Sequence, residues 1–288
     1  MQATIRSKTS FAGVGLHSGT PARLDIHPAS PDHGIVFRRI DMMGKPRVPA
    51  RWDHVVPSEL CTRIEGTSGA NVSTIEHVMA ALSAAGITNA LVEIDGPEVP
   101  ILDGSAEPFL RGILLAGIER QDVPARAIRI LRPIQVERGS SSASLVPSRH
   151  FELEFLIEFP DPAIGRQSFR LDPSNGAFGR ELADCRTFCR EADVLEMKRR
   201  GLAQGGTYTN AVVFDGDKVL SPGGLRRPNE PVRHKMLDAI GDLALAGMPI
   251  IGLYRGKRAG HALTNHLLRV LMADRSAWRI EEAVAMAA

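Results

Sequence analysis

Cysteine is nearly absent: Cys61, Cys185 and Cys189 are the only three in 288 residues. So few, in odd number, supply no disulfide framework, and the fold must rest on a buried core. Free thiols point to a reducing compartment, and a cytoplasmic location is expected. Cys185 and Cys189 lie four apart and would share a face if that stretch were helical. No second Cys/His pair stands beside them, which excludes the usual closed zinc patterns and leaves them as packing residues. Long apolar runs are also missing. The longest weakly polar stretch, Leu243 to Tyr254, is interrupted by Gly247, Pro249 and Gly252 and falls short of the roughly 20 residues that cross a bilayer. The opening MQATIRSKTS has charge but no apolar segment after it, so it does not read as a secretion signal. Any role at a membrane is therefore expected to be a transient one at its surface. Nor is there an excess of one charge: Lys and Arg number 35 against 33 Asp and Glu, a formal +2. That argues against wholesale nucleic-acid binding and leaves room for a local basic pocket.

What is present is an ordinary globular composition, 43% hydrophobic and 24% charged, in a length that suits one large or two medium domains. Period-two alternation over Ala22-Arg23-Leu24-Asp25-Ile26 and the short apolar run Ile35-Val36-Phe37 predict strands. Ile75, Val78, Met79 and Leu82 fall at helical spacing between Ser73 and Gly86. A strand over 90–94 and a helix over 106–116 follow. The polar, Pro-containing bridge 121–126 is the best domain boundary. Beyond it we expect strands over 128–136 and 151–159, a helix over 179–188, and a small inserted unit near 193–220. A helix over 232–246, a strand over 249–254 and a helix over 261–272 complete the chain. Helix, glycine stop, strand, loop, helix thus occurs in each half. The expected fold class is α+β, with two similar domains, 1–122 and 127–288, contributing jointly to one site.

Gly13-Val14-Gly15-Leu16-His17-Ser18-Gly19 superficially suggests a phosphate loop, but its spacing is GxGxxxG and no helical period follows. A tight turn is the better reading. The densest chemical signal is His234-Lys235-Met236-Leu237-Asp238-Ala239-Ile240-Gly241-Asp242. Residues four apart drift only about 40° around a helix, so His234, Asp238 and Asp242 share a face, with Met236, Leu237, Ile240 and Leu243 toward the core. His and Asp at i and i+4 can reach one metal ion, although such a pair is also a common surface hydrogen bond. Gly241 inside this helix costs about 1 kcal/mol relative to Ala and implies a close approach that compensates.

Ser73-Thr74-Ile75-Glu76-His77 has two readings. Ser73 and Glu76 fit an S-x-x-E capping box, which would account for the glutamate alone. If His77 binds a metal, however, Glu76 stands beside a metal-held water and can take its proton. His77, His234 and Asp238 make three protein ligands and leave a fourth position for water, the mark of a catalytic rather than a structural zinc. Ligand softness favours Zn2+, with Fe2+ or Co2+ as alternatives. His261, after Arg258-Ala259-Gly260, starts a helix whose dipole disfavours its charged form, while a partner such as Asp242 would favour it.

With these residues in place the chain closely resembles the UDP-3-O-acyl-N-acetylglucosamine deacetylases, zinc enzymes of lipid A biosynthesis in Gram-negative bacteria. The resemblance runs nearly the whole length. It is carried by Gly13 to Gly19, Ser73 to His77, Leu102-Asp103-Gly104-Ser105, Arg186-Thr187-Phe188, Val232 to Asp242 and Gly260-His261-Ala262-Leu263. It implies two layered sheet-and-helix sandwiches with the site between them, and zinc on His77, His234 and Asp238. It also implies Glu76 as general base and His261, oriented by Asp242, as general acid. Thr187 and Lys235 match groups that hold the oxyanion, and Phe188 matches one that packs near the glucosamine ring. A small βαβ insert is implied to form an acyl passage from Val194, Gly206, Tyr208 and Val213, with Leu16 and Cys61 nearby. The implied partner is UDP-3-O-acyl-N-acetylglucosamine, bound by a monomer. Three positions depart from the family pattern: Arg258 stands where many members have a Lys thought to face the diphosphate, Ser141 occupies the position of another substrate-contacting Lys, and Tyr208 is polar at one end in a passage usually lined by Phe. The competing reading is a non-catalytic, zinc-stabilised nucleotide-sugar or lipid-binding protein, which needs a closed metal site with a fourth protein ligand.

Overall fold

The computed structural model describes residues 1–282. Among them are six helices: α1 (Glu76–Ala84), α2 (Glu107–Ala116), α3 (Ala177–Glu181), α4 (Glu191–Arg199), α5 (Glu230–Ala244) and α6 (His261–Ala273). Two five-stranded sheets carry the architecture. In the first the spatial order is 9–14, 21–28, 90–94, 35–39, 47–49; in the second it is 134–138, 141–146, 253–257, 152–158, 166–171. Numbered along the chain, both read 1-2-5-3-4. In both, the central strand is antiparallel to one neighbour and parallel to the other. The fold is α+β, and the repeat glimpsed in the sequence is a repeat of topology.

Alternation explains the strand faces. Along Pro21–Pro28 the residues Ala22, Leu24 and Ile26 are buried while Pro21, Arg23 and Asp25 face outward or sit at the edge. Along Glu152–Glu158 the buried set is Leu153, Phe155 and Ile157. One face of each sheet is thus apolar and must be covered by helices.

The parallel pair within each sheet demands a crossover, and in each half that connection contains a helix, α1 in the first and α5 in the second. These two helices pack on each other. Gly241 permits it: a Cβ there would lie 2.0 Å from the Glu76 carbonyl oxygen. The close approach anticipated from an interior glycine is a backbone-to-backbone contact between equivalent helices of the two halves. Because α5 is covered on both sides, His234, Asp238 and Asp242 are as buried as Met236 and Leu237.

Three expected elements are corrected. The helix placed over 179–188 is only α3, ending at Glu181, and Phe188 opens a strand instead. The amides in the last turn of the expected helix find tertiary partners: Arg186 N–H donates to Glu230 at 2.9 Å and Thr187 N–H to the Gly104 carbonyl at 2.8 Å. Cys185 and Cys189 consequently share no helix face. The strand over 128–136 is two, Arg126–Ile130 and Ile134–Arg138, separated around Pro133, which has no N–H to give a ladder. Likewise 249–254 divides at Gly252 into Ile250–Ile251 and Leu253–Lys257. At both breaks the chain leaves a three-stranded sheet for the five-stranded one, and a Cβ on Gly252 would lie 2.7 Å from Ile130 Cγ1. The inserted unit is a βαβ: Phe188–Arg190, then α4, then Val212–Asp215 parallel to the first strand.

Substituting Gly241 by Ala tests the α1–α5 contact. Helix propensity alone favours the substitution by about 1 kcal/mol, whereas overpacking costs roughly 1–3 kcal/mol. We expect net destabilisation in urea unfolding; a variant as stable as the parent would mean the two helices do not meet there.

Candidate active site

Glu76 and His77 stand at the start of α1, and the way that helix begins decides what they can do. Its first residue is Glu76, not Ser73. Thr74 sits at φ 57°, a left-handed conformation that β-branched residues rarely adopt. Its hydroxyl donates to Glu98 at 2.9 Å, and Ser73 Oγ donates to the Pro97 carbonyl at 3.1 Å. No capping box forms. Glu76 accepts instead from the backbone N–H of Thr62 at 3.0 Å and is buried, so its carboxylate is not consumed by its own helix.

Opposite, α5 presents His234 and Asp238 one turn apart. Asp238 Oδ1 lies 3.3 Å from His234 Nε2 and 3.5 Å from His77 Nε2. The two imidazoles meet edge to face, with centroids 5.0 Å apart. Ligand atoms of His77, His234 and Asp238 fall within 4.8 Å of one another, close enough for one metal ion. The donor chemistry fits such an ion. Asp238 Oδ1 is buried with no hydrogen-bond partner among the described residues, and an unpaired buried carboxylate oxygen is costly unless something binds it. His234 faces the Cys185 carbonyl with Nδ1 at 3.0 Å, which leaves Nε2 toward the cluster, as outer-sphere partners of metal ligands do. Burial depresses the His234 pKa to about 4, despite the opposing charge of Asp238, so its imidazole is neutral and able to ligate. Burial pushes the Asp238 carboxyl up, but His234 and Lys235 outweigh it and hold the group ionised well below the usual range. Lys235 Nζ donates to Asp238 Oδ2 at 2.6 Å.

A second group with ligand spacing, Asp25, His27 and Glu93, lies on the outer face of the first sheet. Lys8 and Arg23 already pair with Asp25, and Arg38 with Glu93. Those cations neutralise the carboxylates without an ion.

His261, the first residue of α6, completes the cluster. Its Nδ1 is 2.9 Å from Asp242 Oδ2, and its Nε2 is 3.9 Å from both Glu76 Oε1 and Asp238 Oδ2. Burial opposes its charge, yet the carboxylates of Asp242 and Glu76 prevail and raise its pKa to about 9. Glu76 moves the other way from an ordinary carboxylate: burial raises its pKa, partly countered by His261 and His77. The site thus places a carboxylate readily reprotonated and an imidazolium readily held on the same few ångströms of space, an arrangement suited to proton transfer in both directions.

These groups open into a cavity of about 950 Å³. Of the residues picked out in the sequence, Leu16, Glu76, His77, Thr187, Phe188, Val194, Gly206, Tyr208, Val213, His234, Lys235, Asp238, Arg258 and His261 line it, as does Ser141. Asp242 lies behind His261, off the wall. Cys61 does not reach the cavity either. Leu60 takes φ 61° and turns outward to line it, which leaves Cys61 buried with Sγ 3.1 Å from Ser58 Oγ. Phe188 stands 6.4 Å from the His234 ring and is wedged against Phe159 and Phe214.

Several glycine motifs become intelligible here. Gly15 and Gly19 form the expected tight turn, the Gly19 N–H donating to the Gly15 carbonyl at 3.0 Å. Both oxygens of Glu98 accept from its amides, at His17 and Ser18. A Cβ on Gly205 would lie 2.2 Å from the Gly15 carbonyl, so this turn packs directly on the inserted unit. Gly104, at φ 87°, faces the Asn210 carbonyl where a Cβ would lie 2.1 Å away, and its own carbonyl holds Thr187. The Arg186 guanidinium is locked by buried Glu230 at 2.9 Å and by the Gly224 carbonyl at 2.7 Å. Thr62, Glu98 and Glu230 escaped the sequence reading because the contacts that tie them to the site, Thr62 to Glu76 and Asp242, Glu98 to His17, and Glu230 to Arg186, span 14 to 180 residues.

Comparison with known proteins identifies the family. The profile of the UDP-3-O-acyl N-acetylglycosamine deacetylase family matches residues 2–273. A UDP-3-O-acyl-N-acetylglucosamine deacetylase of Phenylobacterium zucineum is 48% identical over 280 residues, covering 97% of this chain and 96% of the relative. Similar proteins of the same name in Myxococcus xanthus and Vibrio parahaemolyticus are 46% and 44% identical over 279 residues, covering 97% and 96% of this chain and 88% and 92% of theirs. The chain belongs to the UDP-3-O-acyl N-acetylglycosamine deacetylase family.

Proposed function

We propose that this chain removes the N-acetyl group from UDP-3-O-acyl-N-acetylglucosamine, a step of lipid A biosynthesis, using Glu76 as base and His261 as acid. The observation that carries the reading is the meeting of His77 from α1 with His234 and Asp238 from α5, beside Glu76 and His261 and at the floor of one cavity. These three side chains would hold a divalent ion, Zn2+ by ligand type with Fe2+ as the alternative, and that ion supplies Lewis acidity toward the amide carbonyl and toward water.

The remaining work falls to the protein. Glu76, ionised, takes a proton from the attacking water; burial makes it a stronger base than a solvated carboxylate. His261, protonated, gives its proton to the departing nitrogen, and Asp242 on Nδ1 leaves Nε2 facing the reaction. Lys235 and Thr187 border the cavity and would hold the carbonyl oxygen as it gains charge. Phe188 offers an apolar face to the sugar. Arg258, now paired with Glu158 at 3.1 Å, would exchange that surface partner for a phosphate. Ser141 keeps its place on the wall but has no charge to offer there. The acyl chain would run along Leu16, Val194, Gly206, Tyr208 and Val213, all of which line the cavity. We assign the two α+β units to 1–122 and 127–288, of which residues 283–288 lie outside the described part. Among the described residues no helix is long and apolar enough to cross a membrane. We place the protein in the cytoplasm as a monomer, in transient contact at most with a membrane surface. The alternative of a non-catalytic binding protein lacks support, because no fourth side chain joins the three-residue group among the described residues.

The assay is acetate release from the nucleotide sugar. Chelation should abolish it and Zn2+ restore it, with a lower melting temperature in between, as expected when a ligand of the folded state is withdrawn. Glu76→Ala should lose about 10²–10⁴-fold in kcat while retaining metal; normal turnover would remove Glu76 from the mechanism. The rate should also fall as pH rises through about 9, where His261 loses its proton. On the acid side it should fall as Glu76 protonates, above the usual carboxylate range because burial raises its pKa. In His261→Gln the alkaline limb should disappear; its persistence would assign that ionisation to another group.

A further inference from the structure

Glu76, His261 and Asp242 come from three different helices, and one residue outside all three ties them together. Thr62 lies in the stretch before the strand Arg63–Glu65 and is buried. Its backbone N–H donates to Glu76 Oε2 at 3.0 Å, and its hydroxyl donates to Asp242 Oδ1. Each carboxylate therefore has one oxygen engaged by Thr62 and the other turned to His261: Asp242 Oδ2 at 2.9 Å from Nδ1, Glu76 Oε1 at 3.9 Å from Nε2. Thr62, Glu76, His261 and Asp242 close a ring. The Ile75 N–H, donating to the Thr62 carbonyl at 3.4 Å, adds a weaker tie to the start of α1.

We propose that Thr62 is a positioning residue for this reaction: its two donors fix the rotamers of both carboxylates so that base and acid face the same reacting amide. This rests on the deacetylase reading above. The chemistry asks for a hydroxyl at this position. Asp242 is buried, and Oδ1 without a donor would be free to rotate toward His261 or recruit water, loosening the imidazole. Only Thr or Ser supplies an O–H on a short stem while leaving the backbone N–H in place for Glu76. Thr62 makes its hydrogen bonds to Glu76, Asp242 and Ile75 rather than to the three proposed metal ligands, and it does not line the cavity, so its effect should appear in turnover rather than in binding.

Thr62→Val preserves shape and the backbone donor and deletes the hydroxyl. With the purified, metal-loaded enzyme we expect kcat to fall by roughly 10–100-fold, by analogy with losing a hydrogen-bond partner that orients a functional side chain, with KM within about twofold and metal content unchanged. Thr62→Ser should recover most of the loss. Combined with Asp242→Asn, Thr62→Val should cost little beyond the single substitution, because both act through the same carboxylate. If the valine chain does not fold, Thr62→Ala, which also keeps the N–H, takes its place. The proposal fails if the valine or alanine variant keeps parental kcat, if Ser is as impaired as Val, if the loss follows metal content, or if the losses with Asp242→Asn multiply. Failure of the deacetylase reading is separate: the parent enzyme itself would release no acetate.

Discussion

The contact between α1 and α5 is the constraint from which the site follows. Two helices ordinarily sit with axes 8–10 Å apart because side chains separate them. Gly241 removes one of those side chains opposite the Glu76 carbonyl, and the backbones touch. Only at that separation can His77, at the start of one helix, share a few ångströms with His234 and Asp238 in the middle of the other. The same approach brings Asp242, one turn further along α5, under Thr62 and beside His261.

Repetition of topology makes this contact natural. In both halves the crossover helix lies on the connection between the parallel strands of a 1-2-5-3-4 sheet. When the halves pair through these helices, residues on equivalent elements meet at the centre of the molecule, where water is excluded. Burial then sets the chemistry. It leaves His234 neutral, raises Glu76, and makes the charge of His261 depend on the carboxylates around it. The same ionisable groups on a surface helix would titrate near their ordinary values and do nothing in particular.

The inserted βαβ and the turn at Gly15 close the opposite side of the cavity. They meet closely, Gly205 against the Gly15 carbonyl, and Glu98 holds the turn by two amides. α4 has no buried residue of its own, so its place depends on the strands that flank it and on the few side chains it turns into the cavity. Tyr208, half exposed, reaches Glu191 at 3.2 Å at the edge of the passage.

Much of this was legible in the residues. The 234–242 spacing put His234, Asp238 and Asp242 on one face, the interior Gly241 announced a close approach, and alternation located the sheet strands. The capping-box reading of Ser73 and Glu76 was equally good locally and did not hold, because Thr62 and the Pro97 carbonyl claimed the groups that the box needed. The helix expected over 179–188 gave way for a like reason, with Glu230 and Gly104 taking its backbone donors. Cys61 was placed one residue from where the chain turns to the cavity, since a left-handed Leu60 leaves no mark in hydrophobic pattern. The sequence by itself determined which residue types recur at helical and strand periods, because those periods are properties of the backbone. Which of them would be buried together, stripped of water and matched with partners up to 180 residues distant, was decided only by the packing of the two halves, since hydrogen-bond and charge energies depend on surroundings that no local window contains.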